Sequence, residues 1–95
     1  MKFDLPELRG YQVSALAMAR GEHALEDVTE GMIVAFVMLW GCVQITRKGT
    51  EQPARFCLHA TRTAPLFIIN PGSYCVLAES NVLGVRGMRR KGLIL

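Results

Sequence analysis

Residues 32–46 read Met32-Ile33-Val34-Ala35-Phe36-Val37-Met38-Leu39-Trp40-Gly41-Cys42-Val43-Gln44-Ile45-Thr46, inside an uncharged stretch bounded by Glu30 and Arg47. How this run is read decides the fold. A membrane-spanning helix needs about 20 predominantly apolar residues, and shorter runs are more often buried core. This one is rich in Val and aromatic residues and carries Gly41 and Gln44 near its end. Those residue types favour a buried β-strand segment.

Outward from that run, turn chemistry punctuates the chain. Gly10, Gly21, Gly31, the segment Lys48-Gly49-Thr50-Glu51-Gln52-Pro53, Asn70-Pro71-Gly72, and Gly84, Gly87 and Gly92 are the breaks. Between them lie strand-like pieces over residues 11–19, 32–46, 55–60, 66–70, 73–78 and 82–88. In the third, Phe56, Leu58 and Ala60 alternate with Arg55, Cys57 and His59. Short strands at this spacing predict an all-β fold, a small antiparallel barrel or jelly-roll-like sandwich. The first third is ambiguous. Leu5, Leu8, Tyr11, Ala15 and Met18 stand near helical spacing, whereas Tyr11, Val13 and Ala15 also make one face of a strand. A strand from about Tyr11 to Met18 is the preferred reading, with a short N-terminal helix as the alternative.

The chain has 95 residues, 51% of them hydrophobic and 20% charged, which suits one domain over residues 1–95 and excludes a disordered tail. Its amino terminus has acidic residues where a secretory signal would be apolar, so a cytoplasmic location is expected. Cys42, Cys57 and Cys75 form no C-x-x-C pair. Buried, reduced thiols are the preferred reading, and a bridge between Cys57 and Cys75 is the alternative.

Charge is divided unevenly. Residues 1–46 carry a balance of −3 and residues 47–95 a balance of +6. The basic half supplies Arg47, Lys48, Arg55, Arg62, Arg86, Arg89, Arg90 and Lys91, candidate contacts to nucleic acid or an acidic partner. A solvated basic tail is the simpler account of the last four. Trp40 and Tyr74 are candidate aromatic contacts, while Phe36 and Phe67, inside apolar runs, are expected in the core.

Catalytic chemistry finds little support. His23 and His59 are isolated, so a metal site would have to be assembled from scattered ligands. His59 shares a strand face with Arg55 and is expected to face solvent. Ser14, Ser73 and Ser80 have no nucleophile-elbow context. Gly87-Met88-Arg89-Arg90-Lys91-Gly92 lacks the spacing and the terminal Lys-Ser/Thr of a phosphate loop. The chain is expected not to be an enzyme and to need no cofactor or metal.

Two resemblances are carried by particular residues. Asn70-Pro71-Gly72-Ser73-Tyr74-Cys75-Val76 is similar to a turn-and-strand piece of filamentous-phage single-stranded-DNA-binding proteins. A longer pattern comprises Val37-Met38-Leu39-Trp40-Gly41-Cys42-Val43-Gln44-Ile45, then residues 55–58, then Leu66-Phe67-Ile68-Ile69-Asn70-Pro71-Gly72-Ser73-Tyr74. It resembles the amino-terminal regulatory domain of AraC-type transcription regulators. That resemblance implies a cupin-like jelly roll that dimerises or binds a regulatory protein or small ligand. The metal-binding histidines of cupins have no counterpart here, and neither does the helix-turn-helix half of such regulators.

The expectation is therefore a non-catalytic regulatory or interaction domain, a homo-oligomer or the partner of another protein, with no membrane span. A single-stranded nucleic-acid-binding barrel is the alternative.

Overall fold

The run from Met32 to Arg47 is two strands, not one. The structure, a computed structural model, describes residues 5–49, 55–60 and 64–92. After a short 3-10 turn at Pro6–Leu8 come β1 (Gln12–Met18), β2 (His23–Val28), β3 (Met32–Trp40) and β4 (Cys42–Arg47). They are followed by β5 (Arg55–His59), β6 (Leu66–Ile68), β7 (Gly72–Ala78) and β8 (Val82–Arg90). The described strand pairs are antiparallel and form two four-stranded sheets, ordered β1-β8-β3-β6 and β2-β7-β4-β5. This is the predicted all-β sandwich with jelly-roll order; the two sheets are not joined into a closed barrel. Among the described residues no helix is long and apolar enough to cross a membrane.

Gly41 is where the chain passes from one sheet to the other. Its φ of +85° lies in the left-handed region that disfavours residues with a Cβ. That single residue separates β3, which pairs with β8 and β6, from β4, which pairs with β7 and β5.

The core lies between the sheets. From the first, Val34, Phe36 and Met38 of β3 and Ile68 of β6 point inward. They meet Val43 and Ile45 of β4, Leu58 of β5, and Tyr74, Val76 and Ala78 of β7. Alternation with period two puts one set of side chains inside and the other outside on each strand. A partly buried ion pair also spans the two sheets. Arg86 on β8 makes a two-pronged hydrogen-bonded contact across the gap to the Glu26 carboxylate on β2. The bonds to Glu26 push the Arg86 pKa further above its ordinary value, against partial burial that acts the other way.

Several expectations are corrected. Residues 23–28, not among the strand-like pieces read from sequence, form β2; His23, Glu26 and Asp27 masked a strand that pairs along β7 at the edge of its sheet. Phe67 was expected in the core and is 42% exposed, because it sits on the outward face of edge strand β6, opposite Ala35. The cysteines are free and none is fully buried. Cys57 and Cys75 lie on β5 and β7 with β4 between them, so about two strand spacings, near 9.6 Å, separate their backbones. That is beyond the reach of a disulfide. The strand expected near Tyr11–Met18 is present as β1.

Candidate interaction surface

The two outer faces differ in kind. On the β2-β7-β4-β5 sheet the outward positions are His23, Leu25 and Asp27 of β2, Ser73, Cys75 and Leu77 of β7, Cys42, Gln44 and Thr46 of β4, and Arg55, Cys57 and His59 of β5, a mixed polar face on which Leu25 is exposed. On the β1-β8-β3-β6 sheet the outward positions are Val13, Ala15 and Ala17 of β1 and Leu83, Val85, Gly87 and Arg89 of β8. Ile33, Ala35, Val37 and Leu39 of β3 and Phe67 of β6 complete them. Among these strand positions only Arg89 is charged.

Part of this apolar face is covered by the chain itself. The turn at Pro6–Leu8 lays Leu8 over Ala35 and Val37, with Leu5, Tyr11, Leu39 and Val85 packed around them. Ala35 and Val37 are thereby buried on what is otherwise an outside surface. The cover is incomplete. On one side of it a hollow of about 260 Å³ is lined by Val13, Ala15, Leu39, Leu83 and Val85. Val13 is 56% exposed and Leu83 49%. A bulge near the end of β3 brings Trp40 into register with Leu83, and Trp40 is 68% exposed.

On the other side of the cover is a larger groove of about 560 Å³. Tyr11 and Phe67 form one wall, their ring centroids 6.0 Å apart and tilted by 46°. The Arg89 guanidinium lies 5.2 Å from the Tyr11 ring centroid, a cation–π arrangement, and Arg9 and Glu7 line the same groove. Ile33 and Ile69 supply the rest of its apolar surface.

The basic residues singled out from sequence are not gathered together. Arg86 is partly buried between the sheets and paired with Glu26. Arg89 belongs to the groove on the first sheet, whereas Arg55 faces outward from the second, on the opposite side of the sandwich. Arg47 donates to the Pro71 carbonyl at 2.6 Å. Lys48, Arg90 and Lys91 are exposed, and Arg62 lies outside the described residues. Of the two aromatic candidates, Trp40 is accessible. Tyr74 is not, being 2% exposed with its hydroxyl donating to the Asn70 carbonyl at 2.7 Å.

Sequence reasoning passed over Tyr11, Phe67, Arg9, Val13 and Leu83. The signal was present in the first third, where Val13, Ala15 and Ala17 give β1 an outward face more apolar than its inward one of Gln12, Ser14, Leu16 and Met18. It also missed a second cluster. Cys42 and His59 stand opposite each other on β4 and β5, their Sγ and Nε2 atoms 3.8 Å apart. The Cys42 thiol donates to Glu79 Oε2 at 3.2 Å. Burial, the bond to Glu79 and nearby negative charge push the Cys42 pKa up to about 11. At neutral pH it is a thiol, poor as a nucleophile.

The sequence matches no family model and no curated protein. Solved structures are similar in fold. The capsular polysaccharide assembling protein CapF from Staphylococcus aureus superposes with a TM-score of 0.69 at 12% identity, over 84% of this chain and 24% of that one. A dTDP-4-dehydrorhamnose 3,5-epimerase from Sulfolobus tokodaii gives 0.64 at 13% identity, over 87% and 53%. The cupin domain of an XRE family transcriptional regulator from Enterobacter cloacae gives 0.63 at 12% identity, over 87% and 82%. This chain spans about a quarter of the length of CapF. The fold is cupin-like.

Proposed function

We propose that this chain is a non-catalytic regulatory domain of the transcription-regulator kind, resembling AraC-type sensor domains. It acts through the outer face of the β1-β8-β3-β6 sheet, and its partner is a second copy of itself. One observation carries the reading: an outer sheet face with a single charge among its strand positions, covered over Ala35 and Val37 by the chain's own N-terminal turn but open at Val13 and Leu83. Apolar surface left open beside a covered strip marks an interaction site. The free edge of that sheet supports it. β1 reads Gln12-Val13-Ser14-Ala15-Leu16-Ala17-Met18, with no Lys, Pro or other charge to discourage pairing. Two such edges related by a two-fold axis would bury both faces together. The fold alone favours neither an enzyme nor a regulator, since both occur among similar structures. A cytoplasmic site of action suits three free thiols.

Light scattering coupled to size-exclusion chromatography tests this. The wild-type chain is expected to run as a dimer and Leu83→Lys as a monomer of unchanged unfolding midpoint. A wild-type chain that stays monomeric at high concentration would refute the reading.

The groove favours a second reading, binding of single-stranded nucleic acid. Tyr11 and Phe67 offer stacking surfaces beside Arg9 and Arg89. Oligonucleotide anisotropy would then show affinity that falls as salt rises and is lost in Tyr11→Ala. Absence of binding at low salt would remove it.

A further inference from the structure

On the far side of the N-terminal turn from Val13 and Leu83, the apolar face holds a groove with charge at its rim. We propose that this groove binds a small planar aromatic carboxylate, its ring against the Tyr11–Phe67 wall and its carboxylate on the Arg89 guanidinium. The site lies outside the sandwich, and nothing in the self-association reading depends on it. It assigns the groove one ring and one negative charge, and so competes with the nucleic-acid reading.

The apolar part sets the shape. Gly87 on β8 has no side chain, and Tyr11 packs into that space: a Cβ there would stand 3.3 Å from Tyr11 Cβ and Cδ2. Tyr11 is thereby seated on the sheet with its ring centroid 6.0 Å from that of Phe67, too close for a third ring to enter between them. A ligand ring lies instead along the wall they make together, over Ile33 and beside Ile69. Ile33 is buried while Phe67 and Ile69 are exposed, so the groove is closed beneath and open above. Its volume of about 560 Å³ suits a single small molecule, for which sites run to roughly 300–1,000 Å³.

The charge decides what the ring carries. Arg89 is partly buried, and its guanidinium lies 5.2 Å from the Tyr11 ring centroid. That contact holds the guanidinium at the wall and leaves its N–H groups for an acceptor. Its one hydrogen bond among the described residues goes to the Arg90 carbonyl at 3.5 Å, the outer limit for such a bond. Among the described residues Arg86–Glu26 is the only ion pair, so Arg9, Arg89 and Glu7 line the groove without salt bridges. A guanidinium drawn partly out of water without a counter-ion is half of a pair, and a planar carboxylate completes it with two parallel hydrogen bonds. Two guanidiniums against one carboxylate leave the groove a balance of one positive charge, which a monoanion neutralises. A single strand asks for more: about 4–16 nucleotides on successive stacking platforms along a basic groove. Here there is one aromatic pair, and Arg55 is on the opposite face of the sandwich.

Calorimetric titration of the full chain with 2-naphthoate and with its neutral counterpart 2-naphthalenemethanol tests the proposal. Wild type is expected to bind one naphthoate at least about tenfold more tightly than the alcohol, which lacks the charge-assisted contact. Arg89→Met should weaken naphthoate by about tenfold or more and leave the alcohol unchanged, which also reports that the groove is still folded. Phe67→Ala should weaken both ligands, and Arg55→Met, on the opposite face, neither. Two readouts need no variant: the acid–alcohol comparison, and backbone amide shifts on adding naphthoate. Those shifts should centre on Gly10, Ile33 and Phe67, not on Val43 and Val76 between the sheets. The proposal is overturned by no naphthoate binding, by equal affinity for acid and alcohol, by wild-type naphthoate affinity in Arg89→Met, or by shifts centred between the sheets. Tighter binding of 2-naphthyl phosphate than of naphthoate would make the groove a phosphate site and overturn the carboxylate assignment. A thymidine oligonucleotide that binds where naphthoate does not would return the groove to the nucleic-acid reading.

Discussion

Replacing Gly41 with Ala puts one methyl group where the chain crosses between sheets, and the consequence can be worked from the structure. At φ +85° a residue with a Cβ costs about 1–2 kcal/mol in backbone strain alone. The added Cβ would also overlap the Asn81 carbonyl oxygen and come within 2.6 Å of Ser80 Oγ. Relieving that overlap means moving the turn at residues 80–81. That turn's neighbourhood includes the bonds Cys42 N–H to Ser80 Oγ and Glu79 N–H to the Cys42 carbonyl. Each lost bond removes about 1 kcal/mol. The total is about 3–4 kcal/mol, a large part of the roughly 5–14 kcal/mol expected for a chain of this length. Gly21 supplies the control. It has a nearly identical φ of +86° but nothing within 4 Å of an added Cβ, so Gly21→Ala should show the strain alone. Guanidinium unfolding of both variants reads the difference, expected as about 2 kcal/mol between them at unchanged slope. Equal costs in the two variants would mean that no contact with the 80–81 turn exists, and the account of the crossover would fail.

Glu26→Gln leaves the half-buried Arg86 without its carboxylate. The loss should fall between that of an exposed pair and a fully buried one, about 1–3 kcal/mol by denaturation, with Glu26→Leu/Arg86→Met less destabilised than the sum of its single changes. Because its pKa is raised to about 11, Cys42 is about one part in a thousand thiolate at pH 8. Mass-resolved alkylation should therefore modify the exposed Cys57 first, with the Cys42 rate still climbing as pH approaches 11. Val13→Lys should abolish self-association as Leu83→Lys does, and its stability should change by no more than about 0.5 kcal/mol in an unfolding titration, since Val13 is more than half exposed.

The all-β class, the strand-forming stretches 32–46 and 73–78, and the solvent-facing placement of Arg55 and His59 were legible in residue order, because period-two alternation and turn residues act locally, although the break at Gly41 that makes the first stretch two strands was not. The same logic failed at His23–Val28, whose polar residues hide an edge strand, and at Phe67, whose apolar neighbours suggested burial. Neither error is local. Whether an apolar residue is inside depends on which sheet face it meets and on what covers that face. For the β1-β8-β3-β6 sheet the cover is a three-residue turn laid over Ala35 and Val37. Likewise Cys42, His59 and Glu79 are 17 and 37 positions apart from Cys42 in the chain and adjacent only through strand pairing. Pattern along the chain settles which segments are strands. Which face stays open, and which distant side chains meet, is decided by register between strands, and register is a property of the folded sheets.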